Sequence, residues 1–93
     1  LEEGLHLYFY PDGKLKSQIP YHQGLLDGEV RLYYPNGVLK RSITYKMGKR
    51  HGFDLLNYIN GSPLLKAEYR DDIALGKATT WHVDGPVSME VFY

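Results

Sequence analysis

Four histidines and four serines are the side chains with the most catalytic potential in this chain of 93 residues, which contains no cysteine. They are His6, His22, His51, His82, Ser17, Ser42, Ser62 and Ser88. The histidines are too widely spaced to suggest a metal site. No serine lies in a Gly-x-Ser-x-Gly turn, and no nucleophile, base and orienting group can be assembled. We therefore predict no catalytic residue, no metal ligand and no cofactor.

Paired carboxylates and glycines also lack a catalytic arrangement. Glu2-Glu3 and Asp71-Asp72 are sequence neighbours, and neighbours in a strand point to opposite faces, so they make poor acid–base partners. The glycines do not precede a helix pattern, as a phosphate-binding loop requires. We predict that the chain is not an enzyme.

Four columns of residues recur every 24 positions and dominate the sequence. The columns are Gly4, Gly28, Gly52, Gly76; Gly13, Gly37, Gly61, Gly85; Tyr21, Tyr45, Tyr69, Tyr93; and Tyr10, Tyr34, Tyr58, with His82 in the fourth place. Such a period is the signature of a repeat architecture. It predicts one repeat domain over residues 1–93, with repeats at about 4–27, 28–51, 52–75 and 76–93.

Each repeat contains two turn signals separated by short segments rich in Tyr, Leu, Ile and Val. The first signal is Asp-Gly or Asn-Gly, as in Asn36-Gly37, which is a strong hairpin signal. The second is Gln23-Gly24 or Met47-Gly48, replaced by Asp71-Asp72 in the third repeat. The expected fold class is all-β: a single elongated antiparallel β-meander of tandem 24-residue β-hairpin repeats, with up to eight strands.

The side chains of this sheet are expected to divide between an apolar and a polar face. With loops of even length, Tyr34 pairs with Leu39, Leu32 with Arg41, Val30 with Ile43, Tyr45 with Arg50 and Ile43 with Gly52. The apolar face then collects Tyr8, Tyr10, Leu15, Ile19, Tyr21, Val30, Leu32, Tyr34, Leu39, Ile43, Tyr45, Leu56, Tyr58, Leu65, Ala67 and Tyr69. The polar face collects Lys16, Gln18, Lys40, Ser42, Thr44, Lys66 and Glu68. A three-residue turn with a bulge is the alternative, and it would move one strand's side chains to the other face.

The motif Tyr34-Pro35-Asn36-Gly37, followed by residues 45–52, resembles the MORN-repeat variant of bacterial YwqK-type antitoxins and related repeat proteins. The resemblance is strongest in the first two repeats. The third departs with Ile59 in place of the proline, and the fourth with His82 in place of the tyrosine. The resemblance implies an elongated antiparallel sheet. It also implies roles in protein assembly, membrane association or accessory domains of larger proteins, without a catalytic residue.

The charge of the chain is balanced overall but uneven along its length. Lys+Arg and Asp+Glu are both 11, so no global charge attracts nucleic acid, and we expect no nucleic-acid binding. Residues 29–52, however, carry six basic side chains and only Glu29 as an acidic one. This basic band favours an acidic partner or an anionic membrane surface. A surface that only keeps the protein in solution is the simpler alternative.

An apolar face of this size is larger than monomers usually expose. We expect that the sheet curls so that the face closes partly on itself, or that a segment outside this sequence or a partner chain covers it. The expected function is a non-catalytic protein–protein interaction module, which the resemblance suggests is antitoxin-like. Its binding residues are predicted to be Tyr10, Tyr34, Tyr58, Tyr21, Tyr45, Tyr69, Arg31, Lys40, Arg41, Lys49 and Arg50. Self-association through the sheet edge or the tyrosine face is also expected. The alternatives are a peripheral, anionic-lipid-binding module and an accessory domain of a larger enzyme. Because the chain starts at Leu1 and ends at a strand-closing Tyr93, we expect a fragment of a longer protein. The composition leaves the compartment open, with the cytoplasm favoured.

Overall fold

The computed structural model describes residues 1–93 and shows nine β-strands and no helix, as the repeat predicts. The strands are β1 (Gly4–Phe9), β2 (Leu15–His22), β3 (Leu25–Leu26), β4 (Gly28–Tyr33), β5 (Leu39–Lys46), β6 (Lys49–Asn57), β7 (Pro63–Arg70), β8 (Ile73–Trp81) and β9 (Val87–Phe92). No helix is therefore available that could cross a membrane.

All strands belong to one open antiparallel sheet in which sequence neighbours are spatial neighbours. The order is β1-β2-β4-β5-β6-β7-β8-β9, with β3 also paired to β2. β3 and β4 are two parts of the third strand, interrupted at Asp27, whose amide donates to the carbonyl of Pro20 at 3.1 Å. The predicted eight-strand meander is thus confirmed, with its third strand broken once.

The two turn signals form two different turns on opposite sides of the sheet. Gln23-Gly24, Met47-Gly48 and Asp71-Asp72 have positive φ at both positions, as in the two-residue type I′ hairpin. These turns lie at one end of the strands, which we call the short-turn side of the sheet. Around Asn36-Gly37, only the glycine has a positive φ, of 88°. There Tyr34 donates its amide to the carbonyl of Val38, and Gly37 donates to the carbonyl of Tyr34, both at 2.9 Å. This is the three-residue turn, and its side of the sheet is the long-turn side.

The expected even loop after Tyr34 is therefore wrong, but most of the predicted pairing survives. Tyr33, not Tyr34, pairs with Leu39, and the register then shifts so that Leu32 pairs with Arg41 and Val30 with Ile43. Lys40 is the extra residue of a bulge. Because the bulge adds one residue after the odd loop, the residues beyond it pair as they would have paired after a loop of even length.

A second irregularity occurs at each glycine of the Gly28, Gly52 and Gly76 column. Tyr45 pairs with Arg50 as predicted, but Ile43 pairs with Asp54 and not with Gly52. Two extra residues on β6 lie across from Thr44 as a result. Gly28 and Gly52 have φ of 115° and 114°, which L-residues rarely adopt. On its other side each glycine faces a tyrosine: Gly4 pairs with Tyr21, Gly28 with Tyr45 and Gly52 with Tyr69.

Because directly paired residues share a face, the register defines the two faces of the sheet. One, which we call the tyrosine face, carries His6, Tyr8, Ser17, Ile19, Tyr21, Val30, Leu32, Arg41, Ile43, Tyr45, Asp54, Leu56, Leu65, Ala67 and Tyr69. The opposite face carries Gln18, Ser42, Thr44, Lys66 and Glu68, as predicted.

Two predicted features of the faces are wrong. Leu15 and Leu39 pair with Phe9 and Tyr33, in the column of the opposite face, because of the odd loop. The opposite face is also not polar throughout, since the strands between the predicted polar ones place Leu7, Tyr33, Phe53, Leu55 and Leu75 there. Apolar side chains of one strand therefore alternate with polar side chains of the next.

The sheet is a single layer, so its core is minimal. Its Cα dimensions are 41 × 35 × 9 Å, and only 7 of 93 residues are buried. The buried apolar residues are Val30, Ile43 and Ala67, all on the tyrosine face. Stability must come from strand pairing and from ties between neighbouring repeats, because no second layer covers either face.

Candidate binding surface

A ladder of tyrosine hydroxyls connects successive repeats along the long-turn side. The hydroxyl of Tyr34 donates to the carbonyl oxygen of Asn57 at 2.8 Å, 23 residues further along the chain. The hydroxyls of Tyr10 and Tyr58 do the same to Tyr33 and Trp81, each at 2.7 Å. This tyrosine column therefore has a structural role in the sheet.

The turn residues next to the tyrosines add to the same ladder. Asn36 accepts a hydrogen bond from the amide of Val38 through Oδ1 and donates one from Nδ2 to the carbonyl of Ile59 in the next turn, both at 3.0 Å.

Lys16 and Lys40, which were predicted to lie on the polar face, are bulge residues. Their ammonium groups lie 5.8 and 5.7 Å from the ring centroids of Tyr10 and Tyr34.

Removing one hydroxyl from this ladder should destabilise the protein measurably. Tyr34→Phe leaves the half-buried carbonyl of Asn57 without its donor, so we expect the free energy of unfolding to fall by about 1 kcal/mol. Tyr45→Phe removes a hydroxyl that has no partner in the chain, and we expect no change. Urea unfolding followed by circular dichroism measures both. Equal effects of the two variants would contradict the ladder.

The second tyrosine column lies on the tyrosine face and does not connect successive repeats through its hydroxyls. Tyr21, Tyr45 and Tyr69 are half-buried, and none of their hydroxyls bonds to another group of the chain. They occur on β2, β5 and β7, two strands apart, so the rings repeat about every 10 Å across the sheet. A glycine lies directly opposite each of them, so the rings contact residues two positions away on that strand: Tyr21 contacts the ring of His6 at 5.0 Å between centroids, and Tyr69 contacts Arg50. The face therefore presents three evenly spaced aromatic rings with free hydroxyls.

A buried ion pair lies between the second and third of these tyrosines. Arg41 donates Nε to Oδ1 of Asp54 at 3.0 Å and Nη2 to Oδ2 at 2.7 Å. Asp54 is 2% exposed, whereas the side chain of Arg41 keeps 39% of its area exposed. This hydrogen bonding raises the pKa of Arg41. The guanidinium is thus a cationic, partly accessible group within the apolar part of the tyrosine face.

Arg50 adds a second cation to the same region. Its guanidinium carbon lies 4.1 Å from the ring centroid of Tyr69, within cation–π range. Its Nε also donates to Oδ1 of Asp72 at 3.1 Å, and its amide donates to the same oxygen at 2.8 Å. These bonds lower the pKa of Asp72, the backbone amide of Arg50 being the main cause. Asp72, which replaces the expected turn glycine, therefore ties the third short turn to the preceding repeat.

The other predicted basic residues are divided between different parts of the molecule. Arg31 lies on the opposite face and forms an ion pair with Glu29, whose pKa is lowered chiefly by the hydroxyl of Ser42 at 2.8 Å. Lys40 lies beside Tyr34, and Lys49 is exposed next to the second short turn. The structure thus brings Arg41 and Arg50 together with Tyr45 and Tyr69, but not Arg31, Lys40 or Lys49.

The residues that sequence reasoning missed are acidic. Asp54 is the one acidic residue in the column of His6, Val30 and Ala78, and Arg41 the one basic residue in the column of Ser17, Leu65 and Met89. The sequence signal that could have revealed this ion pair is that both residues depart from the residue types of their repeat columns.

No group of three or more His, Asp or Glu residues is arranged to hold a metal ion, and neither face contains a pocket. His22 contacts only the carboxylate of Glu3 at 3.2 Å.

Comparison with known families decides which repeat this is. The sequence model of the family described as "MORN repeat variant" matches residues 2–23 and 26–47. Each matched segment contains one three-residue turn and the two strands that it joins. The chain therefore contains two tandem MORN-variant repeats. No curated protein and no solved structure matches it. These two MORN-variant repeats carry the first two donors of the hydroxyl ladder, Tyr10 and Tyr34, and the first two tyrosines of the tyrosine face, Tyr21 and Tyr45. Such repeats suggest a binding role toward proteins or membranes.

Proposed function

We propose that this protein is a non-catalytic binding module that recognises a protein partner through its tyrosine face. The supporting observation is that the hydroxyls of the two tyrosine columns have different roles. Tyr10, Tyr34 and Tyr58 use their hydroxyls inside the sheet. Tyr21, Tyr45 and Tyr69 keep theirs free on one face. Free tyrosines suit recognition because each offers a large apolar area and a polar tip at a low entropic cost.

The size and composition of the tyrosine face match a protein contact. A sheet of 41 × 35 Å offers more area than the about 800 Å² that one partner contributes to a standard interface. Tyrosine and arginine are the residue types that dominate binding energy at such interfaces. The cluster of Tyr45, Tyr69, Arg41 and Arg50 would form the centre of the contact, with arginines suited to carboxylates of the partner.

The charge arrangement favours a protein over an anionic membrane. Membrane attraction needs several basic side chains on one surface. Here Arg31, Arg41 and Arg50 each have an acidic partner, and Arg31 lies on the opposite face from the other two. Lys40 and Lys49 lie on opposite turn sides of the sheet. An antitoxin role, in which this face covers a toxin, is the specific version of the proposal that the YwqK resemblance suggests.

Paired surface variants test the proposal. Tyr21→Ser, Tyr45→Ser and Tyr69→Ser are combined in one protein, and the control combines Leu7→Ser, Phe53→Ser and Leu55→Ser on the opposite face. Proteins retained from an extract by each immobilised variant are quantified by mass spectrometry. We expect at least one partner to bind the wild type and the control but not the tyrosine variant. Circular dichroism confirms that both variants fold.

Two outcomes would contradict the proposal. Retention of the same proteins by all three forms would exclude the tyrosine face as the site. Co-sedimentation of the wild type with phosphatidylserine vesicles, lost in Lys40→Glu with Lys49→Glu, would favour the membrane alternative instead.

A further inference from the structure

The opposite face of the sheet leaves a large apolar side chain uncovered even on its inner strands. Phe53 on β6 is 46% exposed, and the ammonium group of Lys66 lies 5.0 Å from the centroid of its ring. Folded domains normally bury such a face against a second layer. The side chains around Phe53 define which second layer this face fits.

Two rows of side chains cross the middle of the opposite face on β4, β5, β6 and β7. The row nearer the long turns, which we call the long-turn row, consists of Arg31, Ser42, Leu55 and Lys66, each paired with the next. The row nearer the short turns, which we call the short-turn row, consists of Glu29, Thr44, Phe53 and Glu68. On every strand the two rows are two residues apart, which is about 7 Å.

On each of these four strands the two rows carry side chains that suit each other. β4 and β7 each combine a basic side chain in the long-turn row with an acidic one in the short-turn row. β6 has an apolar side chain in both rows, and β5 has a hydroxyl in both rows. A surface with this pattern is complementary to itself after half a turn about an axis that lies between the rows.

We propose that two copies of this chain pack opposite face against opposite face, about a twofold axis that crosses the strands between the long-turn row and the short-turn row. Each strand then lies antiparallel over the same strand of the second copy, as in the aligned packing of two sheets about 10 Å apart. Leu55 of one copy faces Phe53 of the other, and the twofold axis repeats this contact in reverse.

The charged side chains of the two rows favour a second copy as the occupant. Lys66 and Glu68 form no ion pair within their own chain. The axis places Lys66 of each copy over Glu68 of the other. Arg31 and Glu29 already pair within the chain, and the axis brings the two pairs together with unlike charges facing. All four charges of each copy therefore gain an opposite charge across the contact.

The tyrosine face does not have this self-complementarity. Its central row lies directly behind the axis and consists of Val30, Ile43, Asp54 and Ala67. Half a turn about an equivalent axis on that face would place Asp54 over the same carboxylate of the second copy. The proposed dimer instead leaves both tyrosine faces directed outward, where each can contact a partner.

The overlap of the two opposite faces is large enough for a stable dimer. The sheet measures 41 × 35 Å, and the axis passes near the middle of β4 to β7, so the two faces cover each other over most of their area. A standard interface needs about 800 Å² from each partner. We therefore expect the wild type to sediment as a dimer at about 100 μM.

Charge reversal and charge exchange test the arrangement by sedimentation velocity. Lys66→Glu turns two attractive contacts of the dimer into repulsive ones, so we expect the dimer dissociation constant to rise at least about tenfold. The exchange variant Lys66→Glu, Glu68→Lys restores opposite charges across the axis, and its constant should return to within about threefold of the wild type. Lys14→Glu, an equal change of charge at an exposed long turn, is the control and should leave the constant within about twofold.

Zero-length cross-linking of the wild type locates the contact directly. A carbodiimide joins the ammonium of a lysine to a neighbouring carboxylate as an amide, and the reagent takes up the water that is lost. The reaction is carried out on an equal mixture of unlabelled and isotope-labelled protein. Mass spectrometry should find Lys66 of one isotopic form joined to Glu68 of the other. A Lys66–Glu68 cross-link found only within one isotopic form would overturn the proposal.

Three sedimentation results would also overturn the proposal: a wild type that stays monomeric at millimolar concentration, oligomers larger than a dimer, or an exchange variant as weak as Lys66→Glu alone. The triple tyrosine-to-serine variant should still dimerise, and a monomeric form of it would place the contact on the tyrosine face instead. The control variant of the partner experiment, with serine at Leu7, Phe53 and Leu55, should be monomeric and still bind the partner. The dimer and the proposed function can therefore fail independently.

Discussion

Arg41→Leu is expected to lower the free energy of unfolding by about 3 kcal/mol, because it leaves the buried carboxylate of Asp54 without its cation. The effect lies at the lower end for a broken buried pair, since Arg41 itself is 39% exposed. Urea denaturation followed by circular dichroism gives the value. Arg31→Leu is the matched control. Its partner Glu29 keeps 40% of its side chain exposed, so we expect a much smaller loss than for Arg41→Leu.

The double variant Arg41→Leu, Asp54→Val separates the pair from the site. It restores the residue types that Leu65 and Val30 show at the same repeat positions. Replacing a buried ion pair by apolar residues is often neutral or stabilising, so we expect stability within about 1 kcal/mol of the wild type or above it. A double variant as unstable as Arg41→Leu alone would mean that the pair is not what holds the two strands there.

Gly52→Ala is expected to cost about 2 to 3 kcal/mol, because alanine at a φ of 114° is strained. The added Cβ would lie 3.4 Å from Cβ of Thr44, an ordinary contact, so the cost comes from the backbone and not from a clash. Because only 7 residues of the sheet are buried, we expect its free energy of unfolding to be small. The midpoint temperature of thermal unfolding should therefore fall measurably.

Gly61→Ala supplies the comparison for Gly52. Its φ of 90° is closer to the left-handed region that L-residues tolerate, and only Val38 lies within 4 Å, at 3.9 Å. We expect a loss of about 1 to 2 kcal/mol there. If Gly61→Ala proves the more damaging of the two, the bulge at Gly52 is not the more constrained position.

The amino-acid sequence by itself determined the repeat, the strands, the positions of the turns and the resemblance to MORN-variant repeats. These features depend on local rules: tyrosine and β-branched residues favour strands, and glycine is favoured at turn positions where φ is positive. They also placed Tyr21, Tyr45 and Tyr69 on one face, since side chains alternate along a strand.

Only the tertiary structure decided where the pairing of the strands shifts and what each side chain contacts there. The odd loop, the bulge at Lys40 and the two extra residues near Gly52 are set by hydrogen bonds between strands, and no periodicity within one strand reports them. The same is true of Arg41 and Asp54, which are 13 residues apart and meet only through that register. The two tyrosine columns look alike in sequence. They differ in the fold because the carbonyl of the next repeat lies within reach of Tyr34 and not of Tyr45.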